Sequence, residues 1–191
     1  MALAGFGPRP NVARVTGFLR FVGIANAAAW LGACLFYTLG AGPAMLSADM
    51  LALLGPKYFP YFSGAVGLVL LERYFLFHIV CASVALLHAF AERFYLGRRL
   101  TRGRLGLLAA LLAFGVAGSA WLAPKLTRLH RIAHAQNAAQ VTREAAARSF
   151  RVWHGVFQGV NVLVIAGVAG CLWRVTHPRD ELRFLGTQFQ S

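Results

Sequence analysis

The chain has 191 residues, of which 58% are hydrophobic and only 13% charged, and its mean hydropathy is +0.59. An ordinary soluble domain carries about 25% charged residues, so this composition excludes a water-soluble fold and asks for an apolar solvent. The formal charge of +13 comes from 17 Arg and 2 Lys against 6 acids. It falls mostly between or beside the apolar stretches, where it reads as headgroup contact and topology signal rather than a nucleic-acid face.

In chain order, Arg9, Arg14 and Arg20 precede a first apolar run. Residues 21–39 are too long for the apolar region of a signal peptide. Residues 1–15 are therefore read as a cytoplasmic N-terminal segment and about 16–39 as a retained first span, which Gly40, Gly42 and Pro43 should end. The next apolar region, 58–95, would exceed a bilayer as one straight helix, and Glu72 with Arg73 interrupt it. The reading taken is a short re-entrant or interfacial helix over 58–71 leading into a span over about 72–96; the alternative is two crossings, giving five spans. A third span over 105–123 stops near Pro124.

The polar stretch 125–151 carries Leu126, Leu129, Ile132 and Ala133 at helical spacing beside Arg128 and Arg131, which predicts a basic helix lying at the interface. A last span over 152–173 and a polar tail over 174–191 complete the chain. The fold class expected is all-α: a polytopic membrane four-helix bundle, one domain over 16–173, with an additional short helix and an interfacial basic helix. Trp121, Trp153 and Trp173 stand near span ends, as an aromatic belt would.

Arginine is more frequent on the side holding the N-terminus, the 97–104 loop and the tail, so the N-terminus is expected inside a bacterial-type inner membrane. The expected partner is a bilayer with anionic headgroups. A homo-oligomer or a membrane-complex subunit is open, and nucleic acid is not expected.

Polar groups within a bilayer are costly and mark the bundle interior. On the last span His154, Gln158 and Asn161 share one helical face; on the second, Tyr74, His78, Cys81, His88 and Glu92 fall within an arc of roughly 80° at 100° per residue. The plain reading of the last-span stripe is interhelical hydrogen bonding, with Gly155 and Gly159 letting a neighbour approach. The sharper reading makes His78, His154, Gln158 and Asn161 a cofactor-binding set, with His78 and His154 holding haem b or a quinone, or relaying protons. No cofactor is required by the sequence.

His88 and Glu92 read as a local pair at the boundary, and His130 with His134 as surface residues of the basic helix, since no Glu follows His130 in zinc-protease fashion. Cys34, Cys81 and Cys171 lack zinc or disulfide spacing and read as buried hydrophobes. No nucleophile with a base, phosphate loop or paired carboxylate appears, so an enzyme is the less favoured class.

The segments Ala29, Trp30, Leu31, Gly32 with Phe36; Tyr58, Phe59, Pro60, Tyr61, Phe62; Pro124, Lys125, Leu126; and Phe150 with His154, Gly155 and Asn161 resemble the transmembrane-protein-205-like domain, the bacterial domain of unknown function 4149. The resemblance covers about residues 18–173 and implies a four-helix membrane domain without an assigned activity. In architecture only, it is distantly similar to copper-resistance D-type membrane domains and to haem-associated protoporphyrinogen oxidases, whose early-helix histidine has no counterpart in the first span here. The functional expectation is an integral membrane protein of structural or transport-related role. Its alternatives are a haem- or quinone-binding redox protein, and a metal or small-cation permease in which Cys34 and Cys81 add soft ligands near His78.

Overall fold

In water none of these apolar helices would hold its shape alone, but in hydrocarbon every backbone group must be bonded within its own segment, so helix is what the sequence has to form. The computed structural model describes residues 10–97 and 100–177. Arg9, Arg98, Arg99, the segment 1–9 and the tail from 178 onward, with Arg179 and Arg183, lie outside the described residues.

The elements are α1 (Pro10–Leu35), a π-helical segment (Phe36–Ala41), α2 (Gly42–Met45), α3 (Ala48–Leu96), α4 (Arg102–Ala117), a second π-helical segment (Gly118–Leu122), α5 (Ala123–Ala133) and α6 (Gln140–Thr176). Four continuous helical stretches are long and apolar enough to cross a membrane. They close a ring in which α1 packs on α3 and α6, α3 on α4 and α5, and α5 on α6. The chain is thus an all-α membrane bundle, as its composition predicts.

The boundaries follow local chemistry. Ser47 caps α3 by accepting from the Met50 amide at 3.2 Å, and Thr101 caps α4 by accepting from the Arg104 amide. Gly97 closes α3 in the left-handed region (φ 65°). Gly55 sits at φ 71°, ψ 158°, a conformation that only glycine adopts readily, and kinks α3 just before Pro56. A Cβ at Gly55 would meet nothing within 4 Å. Gly55→Ala is therefore expected to cost about 1–3 kcal/mol through backbone strain alone, read as a lower unfolding midpoint with the helix content retained.

Three expectations are corrected. Gly40, Gly42 and Pro43 do not end the first helix: it widens into a π-helical turn and runs on to Met45, because Pro43 falls in the first turn of α2, where no amide donor is missed. Residues 58–71 are no separate helix, since past Gly55 α3 runs unbroken through Glu72 and Arg73, both of which point outward. The segment 125–151 is no single interfacial helix: α5 prolongs α4 through the second π-helical segment, the chain turns over 134–139, and the first turns of α6 pack back on α5 as an antiparallel hairpin.

The core is aromatic at its centre. Phe75, Phe114 and Phe157 meet with ring centroids 5.6–6.4 Å apart, and Leu71, Leu126 and Val168 fill the layers around them. Gly118 makes this possible, because a Cβ there would overlap the Cε1 and Cδ1 atoms of Phe75.

Candidate functional site

The five second-helix residues predicted to share a face, Tyr74, His78, Cys81, His88 and Glu92, are all buried on α3. On α6, Asn161 is fully buried, while His154 and Gln158 are half-buried. The two stripes meet at Tyr74 and Asn161, and the buried polar groups of the bundle form two networks.

The first network centres on His78. The Trp30 indole N–H donates to Nδ1 at 2.9 Å, and Nε2 lies 2.9 Å from the Leu111 carbonyl. An indole nitrogen only donates and a carbonyl only accepts, so the proton of this imidazole sits on Nε2, and both ring nitrogens are taken. One side chain of α3 thereby ties α1 to α4. Gly115 lets the ring in, since a Cβ there would come within 2.9 Å of His78 Cδ2 and of Ile79 Cγ1.

The second network centres on Asn161. Its Oδ1 accepts from the Tyr74 hydroxyl at 2.5 Å, and its Nδ2 donates to Thr38 Oγ1 at 2.8 Å. Thr38 passes its own proton to the Cys34 carbonyl at 2.7 Å, and the Cys34 sulfur lies 3.5 Å from the Tyr74 oxygen. Tyr37 stacks on Tyr74 with centroids 4.7 Å apart. Asn161 thus joins α6 to α3 and to the π-helical segment that continues α1.

His78 and His154 are not brought into contact. Phe157 and Phe114 stand between them: His154 packs against Phe157 at 6.2 Å, Phe157 against Phe114 at 6.4 Å, and Phe114 against His78 at 5.3 Å. Gln158 donates to His154 Nε2 at 3.3 Å, and Phe150 stacks on the same imidazole. Haem ligation by the pair would require His78 to give up at least its bond from Trp30. Gly155 and Gly159 admit no neighbour either, since a Cβ at either would meet nothing within 4 Å, which corrects the close approach expected there.

Towards the ends of the bundle the expected His88–Glu92 pair is present, and His130 departs from its expected place. His130 is buried rather than on the surface: it donates from Nε2 to the Tyr61 carbonyl at 3.0 Å and stacks on the Tyr61 ring, with Gly64 making room. His134 does reach the exposed side. At the opposite end, His88 and Glu92 lie 3.9 Å apart, but the nearer partner of Glu92 is Arg104 at 2.7 Å, and His88 Nε2 donates to the Leu19 carbonyl at 2.8 Å. Lys125 Nζ sits 3.7 Å from the Trp153 ring centroid and 4.6 Å from that of Trp121, a paired cation–π contact. Cys34 and Cys81 are buried and Cys171 is partly so. Among the described residues no group of three metal-ligating side chains converges.

Sequence reasoning missed Trp30 and Thr38. The signal was present: Trp30, Cys34 and Thr38 recur every fourth residue on one face of the first helix, and Trp30 is the tryptophan placed away from a span end.

A family model described as Domain of unknown function (DUF4149) matches residues 26–135. The match takes in Trp30, Thr38, Tyr74 and His78 but stops short of α6. No curated protein and no solved structure matches the chain.

Proposed function

The chain belongs to the DUF4149 family, and on that footing we propose that it is a structural membrane protein, crossing the bilayer four times, whose intramembrane polar residues hold the helices together. The observation that carries this reading is that the buried polar side chains at the bundle centre bind other helices. His78 is shared between Trp30 and Leu111, Asn161 between Tyr74 and Thr38, and Asn26 donates to the Cys81 carbonyl at 3.0 Å. A transport path or ligand site needs polar groups left open to the passing species; these are consumed.

The bilayer placement follows from helix rise. About 20 residues at 1.5 Å each cover a hydrocarbon core of about 30 Å. That spacing separates Arg73 from Arg93, Arg104 from Lys125 and Trp153 from Arg174 on three successive helices. One boundary is tied together by the Glu92–Arg104 pair and by Arg20 donating to the Thr176 carbonyl at 3.3 Å. The other is marked by Lys125 between Trp121 and Trp153. The hairpin of α5 and early α6, with residues 56–71 of α3, then stands beyond the second boundary as a helical head. The N-terminus lies inside an inner membrane by the arginine bias. Kinship with transmembrane-protein-205-like proteins rests on the four segments given above, of which the Phe150, His154, Gly155 and Asn161 group lies beyond the matched residues, and that with copper-resistance D-type proteins on architecture alone.

A redox reading keeps one supporting feature: Nδ1 of half-buried His154 has no hydrogen-bond partner among the described residues. Absorbance spectra of the detergent-purified protein, oxidised and dithionite-reduced, separate the two. The structural reading expects no Soret band. A band that shifts on reduction and is lost in His154→Ala would replace it with a haem protein.

A further inference from the structure

The outward face of α3 carries a seam that the bundle does not use. Phe62, Val66, Val69, Arg73, Leu76 and Val80 follow one another at steps of four and three, and steps of seven carry the line on to Leu87 and Phe94. All are exposed, from 42% at Leu76 to 78% at Phe94 among the apolar ones. A 3–4 repeat of exposed residues, held from Phe62 to Val80, is the pattern of a helix that pairs with another helix along that length. Lipid alone would ask only for apolar residues over about 30 Å. The seam from Phe62 to Phe94 covers 33 residues, about 48 Å at 1.5 Å per step, so its first turns rise past the boundary into water.

The occupant is indicated by the break in the seam. Arg73 occupies a position at the centre of the repeat, and Glu72, one residue before it, flanks the same line; both are exposed, and neither has an ion-pair partner among the described residues. In a parallel two-stranded pairing, a side chain at the a position packs into a hole that includes the partner's preceding g residue. Arg73 would therefore meet the partner's Glu72, and Glu72 the partner's Arg73. Such an arrangement is self-complementary, as a twofold contact requires. It also removes two charges from a lipid boundary where each is costly alone.

We propose that the protein is a parallel homodimer joined along α3, with reciprocal Glu72–Arg73 pairs setting its register. The apolar turns from Phe62 to Val69 pack against their twins outside the bilayer, where the hydrophobic effect acts in full. The proposal rests on the bilayer placement above for that last point and for Glu72 and Arg73 lying at a lipid boundary.

The test uses the full chain in phosphatidylcholine vesicles, with Cys34, Cys81 and Cys171 replaced by alanine and single cysteines introduced at Val69 or Val80 and oxidised to cross-link. Both positions are expected to give covalent dimers, whereas Gly155→Cys on α6 is not. Glu72→Arg and Arg73→Glu alone should each lower the dimer yield at least tenfold on dilution with lipid, and the double variant carrying both changes should restore it. Monomers throughout, cross-linking at Gly155 instead, or single reversals without effect would overturn the proposal. A water-soluble maleimide applied to Val69→Cys in the Glu72→Arg background reports the bilayer placement separately: labelling supports it, and protection contradicts it without touching the dimer result.

Discussion

Replacing His78 by alanine is expected to lower stability by about 3 kcal/mol, read as the shift in an SDS or thermal unfolding midpoint in detergent. Interhelical hydrogen bonds in membrane proteins contribute about 0.6–2 kcal/mol each. His78 makes two, to Trp30 and Leu111, and its removal leaves a void in a fully buried layer. The Trp30 indole N–H would then lie unpaired in an apolar interior, while the Leu111 carbonyl keeps its bond within α4. His78→Gln offers one acceptor and a donor at similar reach, so it should recover part of the loss. An alanine variant as stable as the parent would mean that His78 is kept for something other than packing.

The second large effect is expected at Gly118. Phe75 is fully buried against Phe114 and Phe157, so its ring has no space to retreat from a new methyl group. Overpacking of this kind costs about 1–3 kcal/mol and sometimes more; Gly118→Ala should fall at the upper end, and Gly118→Val should fail to accumulate as folded protein. Gly106→Ala is the control. Its Cβ would meet nothing within 4 Å, and alanine favours helix over glycine, so its stability should be unchanged or slightly raised. Combining Gly118→Ala with Phe75→Leu should recover part of the loss, because the smaller side chain frees the volume the methyl group needs. If Gly118→Ala is neutral while Gly106→Ala is not, the α3–α4 packing described here is wrong.

Much of the bundle was legible because membrane helices announce themselves by length and hydropathy. The α3 polar arc from Tyr74 to Glu92 was legible too, since helical geometry alone puts those five residues on one face and hydrocarbon makes the inside their only affordable place. What periodicity cannot supply is the partner. Nothing in the spacing of His78 says that Trp30 and Leu111 rather than a metal will satisfy it, because that depends on how helices distant in sequence cross. The same limit hid the burial of His130, whose site exists only because Gly64 on another helix opens it. Glu72 and Arg73 misled for a different reason: charges inside an apolar run look like a helix break, yet they are compatible with an unbroken helix where it passes out of the bilayer or meets a partner. The hairpin of α5 and α6 was missed because its amphipathic turns serve equally well lying on a membrane or packed on a neighbouring helix.

The central claim is that the intramembrane polar residues are bonded to one another to hold the helices, and a double-mutant cycle on Tyr74 and Asn161 tests it most directly. Tyr74→Phe, Asn161→Leu and the double variant remove the 2.5 Å bond between α3 and α6 from either side. A coupling energy of about 1–2 kcal/mol is predicted, with the double variant less destabilised than the sum of the two single ones. Strictly additive losses, or single variants that leave stability untouched, would contradict the account and return these residues to a role in binding or transport.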